Sequence, residues 1–288
     1  GPLGLSLEDA ADGILAVVNA SMVGAIRLVS IERGHDPRLF TLVPFGGAGP
    51  LHGLDLADLL GMPRVLVPRS PGVLSTVGLL NADLRNDFVR TRVWEGPEFP
   101  VAEVRAGYED LGAAAQATLG DEAARSSAVL ERSADLRYHG QGFELTVPMP
   151  DESVDAAALA ALRERFHAAH EHLYGYALRN APVELVNLRV TATVPLSKAH
   201  TQEIPAQAGP IEAARVGERR VYFGRSGGAE AGSGWTVTPR YDRAQLGAGA
   251  VVLGPAVLEQ LDSTTVLGPG QRATVDRYGN LIVTRQSR

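Results

Sequence analysis

The segment Phe40-Thr-Leu-Val-Pro-Phe-Gly-Gly-Ala-Gly-Pro-Leu-His52 decides how this chain is read. A short apolar run stops at Gly46, Gly47 and Gly49, with Ala48 between them; Pro50 follows and a helical pattern begins. Glycine lets the backbone turn tightly and come close to a ligand, because no Cβ intervenes. Proline in the first helical turn has its φ already set, and the N–H it lacks would have had no partner there. A helix start presents N–H groups without intrahelical partners and attracts anionic or polar ligands. The stretch therefore reads as a nucleotide-contacting turn, with Gly46, Gly47, Ala48, Gly49 and His52 as candidate binding residues. On the residues alone, a plain strand-to-helix turn is the alternative.

Spacing excludes two familiar nucleotide loops. A Walker loop needs Gly-Lys-Ser/Thr, where the lysine meets phosphate, and the single lysine here, Lys198, is far from any glycine cluster. A Rossmann fingerprint needs a third glycine and an acidic residue roughly 20 positions on. Here His52 stands where the third glycine belongs, and the next apolar run, Arg64-Val-Leu-Val67, leads into Pro68 and Arg69 without a carboxylate.

An apolar strand, then Gly-Gly-x-Gly, then a helix is similar to the adenosine-binding turn of the actin-like ATPases. The surrounding residues narrow the match. SIERGHDPRLFTLVPFGGAGPLHGLDLADLLGMPRVLVPRSPGVLSTVGLLNADLRNDFVRT (30–91), DLRYHGQGFEL (135–145), HEHLYGYAL (170–178) and GPAVLEQLDSTTVLGPGQRATVDRYGNLIVTR (254–285) occur in that order. Together they resemble the A-type subunit of the hydantoinase / 5-oxoprolinase / acetone carboxylase superfamily over nearly the whole chain.

Composition is consistent with that likeness. The chain has 288 residues, 45% of them hydrophobic and 21% charged, ordinary for a globular protein. A net charge of −6 leaves no electrostatic footprint for nucleic acid. No apolar run reaches the roughly 20 residues a transmembrane helix needs, so no membrane contact is expected. The absence of cysteine excludes disulfides, zinc–thiolate sites and cysteine nucleophiles. No secretory signal is recognised, which favours the cytoplasm. The leading Gly-Pro-Leu-Gly reads either as a protease-cleavage scar or as native sequence, since the family has a similar LGLS there.

Working outward, Ser6 with Asp9 forms a helix-capping pair, and Leu7, Ala11, Ile14, Leu15, Val18, Met22, Ile26 and Val29 recur at helical spacing up to Gly34. Phe40–Phe45 reads as a strand buried on both faces, Leu51–Leu60 as a helix closed by Gly61, and Arg64–Val67 as the next strand, a β-α-β unit around the glycine turn. Pro71–Asp83 reads as a further short helix. Strands are expected around Phe88–Trp94, over Leu130–Tyr138, Phe143–Val147, Glu184–Val194 and Arg219–Phe223, and helices over Val101–Leu119 and Asp155–Leu173. On the strand from Glu184, period-two alternation sets Leu185 with Asn187 and Arg189, opposite Val186 and Leu188. A Gly-, Ala- and Glu-rich stretch spans Ala206–Gly234, and Val251–Thr284 breaks into short strands with tight turns. The fold class is α/β: residues 1–90 as the end of an actin-like ATPase lobe, residues 91–288 as an α+β C-terminal domain with a β-rich terminal unit.

Other candidates weigh less. His167 and His170 share a helix face, but His172 lies about 140° round from His167, so the three do not read as a metal site; no metal ligand is expected. Gln141, between Gly140 and Gly142, is a weak candidate for a substrate amide. Asp262-Ser-Thr-Thr265 reads as a strand turn before an anion site. Arg64, Arg69, Arg85, Arg90 and Arg92 read mostly as a solvated or interdomain face, with some able to reach phosphate. Spacing defends no Ser-His-Asp set and no paired-carboxylate pattern.

The resemblance implies an ATP-dependent enzyme acting on a small cyclic amide or a ketone, with ATP and Mg²⁺ as cofactors and a B-type hydantoinase subunit as partner. In the hydantoinase and oxoprolinase branches, ATP would activate a lactam or imide carbonyl for hydrolysis. In the carboxylase branches it would activate a ketone and bicarbonate. The residues present correspond to the adenosine side of the nucleotide site. The family's N-terminal A-type lobe, with its Asp/Gly-rich phosphate loop, has no counterpart here, so this chain alone is expected to lack ATPase and amidohydrolase activity. A non-catalytic assembly module docking a B-type subunit is the alternative of a different class. The motifs do not distinguish among hydantoin, 5-oxoproline, other lactams, acetone and acetophenone.

Overall fold

The computed structural model describes residues 4–120, 127–150, 153–198, 200–224 and 234–285. The Gly1-Pro-Leu segment and residues 225–233 of the Gly-, Ala- and Glu-rich stretch lie outside the described residues. Packing divides the chain into two compact units, Gly1–Leu80 with Ala199–Arg288, and Asn81–Lys198. The sequence reading divides it once, near residue 90. Packing divides it twice because strands from the last part of the chain pair with those around the glycine turn.

The first unit opens with helix α1 (Leu7–Val29), capped by Ser6, whose side chain accepts the Asp9 N–H. Helix geometry stops at Val29; a single 3₁₀ turn, Ile31–Arg33, carries the chain to Gly34, at φ 80°. Strand β1 (Thr41–Leu42) leads into helix α2 (Gly49–Leu60), closed by Gly61 at φ 67°. Strand β2 (Arg64–Val67) runs parallel to β1, completing the expected β-α-β unit. A 3₁₀ turn, Pro71–Val73, and the short helix α3 (Leu74–Leu80) follow.

Two expectations change here. The Phe40–Phe45 run forms only a two-residue strand at the edge of its sheet, and it is not buried on both faces. Phe40, Val43 and Phe45 are exposed, Phe40 meeting the His35 ring edge-on with 6.1 Å between centroids. Second, the helical stretch beginning at Leu7 is long and apolar enough to cross a membrane by length and composition, contrary to the expectation that no apolar run reaches that length. Met22, Val23 and Ile26 pack against Leu56 and Leu60 of α2, while Ile14, Val17 and Leu28 face outward, each more than half exposed.

Among the described residues, the second unit is a four-stranded antiparallel sheet with two long helices. Its elements are β3 (Leu84–Glu95), α4 (Val101–Thr118), β4 (Val129–Tyr138), β5 (Leu145–Pro148), α5 (Ala156–Tyr174) and β6 (Val183–Val194), with strand order β3-β6-β4-β5. Alternation along β6 fails at one point. The β4–β6 register skips Val186, pairing Asp135 with Asn187 and Leu136 with Leu185. This bulge turns Leu185 into the same core as Leu188 and Val190. Gly107 of α4 lies so close to Leu188 that an added Cβ would stand 2.5 Å from its Cδ1, which lets this helix settle onto the sheet.

The chain then returns to the first unit through β7 (Arg215–Phe223), β8 (Gly234–Asp242), β9 (Val251–Leu253), β10 (Ala256–Gln260), β11 (Ser263–Leu267), β12 (Gln271–Val275) and β13 (Leu281–Arg285). One sheet has the order β1-β2-β13-β12-β9, the other β11-β10-β8-β7. β13 pairs antiparallel with β2, so the glycine turn is fastened to the C-terminal strands. Leu258, Leu267 and Leu281 are fully buried in the core they share with Val65, Val67 and Leu54. Truncating any of these leucines to alanine would cost about 2–5 kcal/mol.

Candidate functional site

The bend between β1 and α2 is open. Gly47 and Ala48 are exposed and Gly46 and Gly49 half-buried. Gly46 takes φ 80°, the left-handed region that favours glycine, and donates its N–H to the Pro71 carbonyl at 2.8 Å. Gly49 donates to the Gly46 carbonyl at 3.2 Å. Among the described residues, the Gly47 and Ala48 N–H groups donate to nothing. No side chain caps α2, and Pro50 occupies its first turn. Two free donors thus stand at the positive end of a helix dipole, flanked by the exposed side chains of Phe45 and Leu51. An anion or polar edge can accept from these amides while a flat apolar group lies against the side chains.

The second layer holds that bend in place. Gly53 allows α2 to lie on Pro44, since a Cβ there would be 2.7 Å from the proline Cγ. Gly72 donates its N–H to the Asp262 carboxylate at 2.9 Å. Gln260 bridges onward, donating to Asp262 Oδ1 and to the Arg69 carbonyl while accepting from Arg243. Arg243 is buried and also donates to the carbonyls of Val67, Pro68 and Gly279. Burial without a carboxylate partner pushes its guanidinium down to about 10. Nothing in its sequence context singles this arginine out; only the fold reveals it as the peg holding the segment after β2. Arg69 and Arg243 line a cavity of about 480 Å³ together with Ser70, Gln207 and Gln260.

His52 lies apart from the glycine amides. Its Nδ1–H donates to Asn19 Oδ1 at 2.9 Å, and the fully buried Asn19 donates onward to Asp55 at 3.3 Å. His52 and Asp55 line a cavity of about 190 Å³ with Asp12, Leu15, Tyr222 and Gln271; the bend residues do not line it. Burial, reinforced by the charge of Asp58, pushes the Asp55 carboxyl up to about 6.

The remaining candidates divide. Arg85, Arg90 and Arg92 are engaged by Asp87, Asp110 and Glu103, whereas the Arg69 guanidinium has no partner among the described residues. His167 and His170 are packed into the core of their unit. Leu178 N–H donates to the Tyr138 hydroxyl, which leaves the hydroxyl proton for His167 Nδ1 at 2.7 Å. His170 donates from Nδ1 to the Tyr176 carbonyl and accepts from Gln141 at Nε2, and Gln141 accepts the Tyr138 N–H. Gln141 is therefore occupied by the fold, and His172 is exposed, outside this network.

Known proteins resemble this chain in sequence and fold. The hydantoinase/oxoprolinase family matches residues 1–88, and the hydantoinase/oxoprolinase C-terminal domain matches residues 99–285. The alpha subunit of caprolactamase from Pseudomonas jessenii is 34% identical over 96% of this chain. The crystal structure of the ATP-dependent caprolactamase from the same organism superposes over 99% of the chain with a TM-score of 0.75. 5-oxoprolinase 1 from Arabidopsis thaliana is 30% identical over 96% of the chain. At 24% identity, a nucleotide-free acetone carboxylase structure has the same fold, with a TM-score of 0.78 over 99% of the chain. The chain spans 39% of the caprolactamase subunit and 21% of the oxoprolinase. With motifs, both family segments and the whole α/β fold in agreement, this chain belongs to the hydantoinase/oxoprolinase family.

Proposed function

We propose that this chain is part of an ATP-dependent cyclic-amide hydrolase and supplies the nucleoside side of its nucleotide site. The observation that carries the reading is the open bend at Gly46–Gly49, with two unengaged amides at the start of α2 and two exposed apolar neighbours. The amides of Gly47 and Ala48 would donate to a polar edge of the nucleotide, and Phe45 would lie beside its apolar part. ATP would supply the phosphoryl group that activates the amide carbonyl toward water, with Mg²⁺ and the phosphate-binding loop on an N-terminal A-type lobe. A B-type subunit would complete the reaction. Likeness to an ATP-dependent caprolactamase favours a lactam as substrate.

The experiment is a melting curve of the chain with millimolar adenosine, ADP and Mg-ATP. Each nucleotide should raise Tm, as any ligand of the folded state does, and Gly47→Val should abolish the rise. A rise that survives in Gly47→Val, or no rise in the wild type, overturns the nucleoside assignment.

A second reading is favoured by sequence likeness to subunits of acetone and acetophenone carboxylases: ATP-dependent activation of a ketone. The two separate in the assembled enzyme. Lactam opening proceeds without bicarbonate, and ketone carboxylation requires it.

A further inference from the structure

We propose that Glu95, His139 and Glu184 form a binding site for one divalent transition-metal ion of the zinc or manganese kind. Nothing in the proposed nucleotide chemistry uses these residues.

Topology brings the three together at one end of the four-stranded sheet. Glu95 is the last residue of β3, Glu184 the second of β6, and His139 directly follows β4. The β3–β6 register sets Glu95 directly opposite Glu184. Like charges facing each other across a strand pair destabilise a sheet, so this placement calls for a cation. Arg137, opposite Glu184 on the other side, supplies only part of it. Its Nε donates to Glu184 Oε2 at 2.6 Å, and the same side chain also pairs with Glu144 at 3.1 Å. That hydrogen bond engages Oε2 and leaves Oε1 turned toward His139.

The donor geometry fits an ion better than an ion pair. His139 Nδ1 is 2.8 Å from Glu184 Oε1 and 3.0 Å from Glu95 Oε1, and the three donor atoms lie within 4.8 Å of one another. One ring nitrogen carries at most one proton, so a hydrogen bond fully serves one carboxylate and not both. Adjacent ligands of an octahedral ion with bonds of roughly 2.1 Å stand about 3 Å apart, the spacing seen from His139 to each carboxylate. One imidazole and two carboxylates match zinc or manganese rather than magnesium, which prefers oxygen ligands and keeps its waters. Arg137 then orients a ligating carboxylate through its other oxygen, the usual part of an outer-shell partner. Glu95 and His139 are exposed, which leaves a path for the ion and room for waters to complete its shell.

The test is calorimetric titration of the tag-free, chelator-treated chain with Zn²⁺, Mn²⁺ and Mg²⁺ in turn. One ion per chain is expected, Zn²⁺ tightest and Mg²⁺ weakest. Glu95→Gln and His139→Ala should each weaken Zn²⁺ binding at least about tenfold, and the double variant should abolish it, with circular dichroism confirming that both exposed substitutions leave the fold intact. No ion uptake by the wild type, or wild-type affinity in the double variant, overturns the proposal. Addition of Zn²⁺ should also raise Tm in the wild type and not in the double variant; equal shifts in both would count against the site.

Discussion

Gly72 N–H and the Asp262 carboxylate meet at 2.9 Å although 190 positions separate them in the chain. This contact fastens the loop after β2 to the turn between β10 and β11. The same loop supplies the Pro71 carbonyl that holds Gly46 in its left-handed conformation, so the shape of the glycine bend depends on residues near the end of the sequence. Asp262→Ala removes an acceptor from Gly72 and from Gln260 and should cost about 1–3 kcal/mol, measured by urea unfolding. Gly72→Ala should cost more, since its Cβ would stand 2.5 Å from the Asp262 carbonyl oxygen, a backbone atom that cannot swing aside.

Gly46 and Gly47 should respond differently to the same substitution. Gly46→Val forces a branched side chain into φ 80°, a strain of about 1–3 kcal/mol. Gly47 has no positive φ, and an added Cβ makes only an ordinary contact, 3.5 Å from the Asp262 carbonyl oxygen. Gly47→Val should therefore leave stability within about 0.5 kcal/mol of wild type while removing the nucleotide-dependent rise in Tm. Unfolding curves with and without ADP separate the two effects.

Asp55 carries a pH signature. Its carboxyl is pushed up from 3.8 to about 6 by burial and by the charge of Asp58. The folded state therefore binds a proton that the unfolded state releases between those values. The associated stability is fully present below 3.8 and is lost as pH rises through about 6. Asp55→Asn keeps an acceptor for Asn19 and removes the buried charge. It should stabilise the chain by about 1–2 kcal/mol at pH 8, allowing for partial solvent screening, and that gain should vanish near pH 4. Urea unfolding across this range is the check; a gain independent of pH would refute it.

Tyr138 and His167 predict the opposite slope. Burial lowers the His167 imidazole below its usual range, so it is neutral in the folded chain. Its contribution is present above about 6.5 and declines as pH falls, because the unfolded state takes up the proton first. Tyr138→Phe deprives both Leu178 N–H and His167 Nδ1 of a partner and should cost about 1–3 kcal/mol. Thermal melts at pH 7.5 and 5.5 should show the Asp55→Asn variant, in which the Asp55 titration is removed, losing stability on acidification.

Much of this was legible locally. Ser6, Gly61 and Asp155 cap helices as their residue types require, and the β-α-β unit follows from an apolar run, a glycine turn and a helix with its own stop. The turn at Gly46–Gly49 stood out because glycine and proline act on the backbone itself. Three features were not legible. The Phe40–Phe45 run is as apolar as a core strand, yet its burial depends on neighbours that the described chain does not supply. The inversion of Leu185 depends on a bulge opposite β4, which period-two reasoning along one strand cannot detect. Arg243 looks like any surface arginine until the carbonyls of Val67, Pro68 and Gly279 close around it.

What the amino-acid order settles by itself is where the chain turns, which stretches are helix or strand, and which family the motifs belong to. Those properties arise from φ preferences, capping and short-range periodicity, all acting within a few residues. Tertiary structure alone decides that β13 lies beside β2, that Asp262 reaches Gly72, and that Glu95, His139 and Glu184 converge on one point. Each of those meetings joins residues tens to hundreds of positions apart, and strand register, which no local pattern encodes, sets the distance between them.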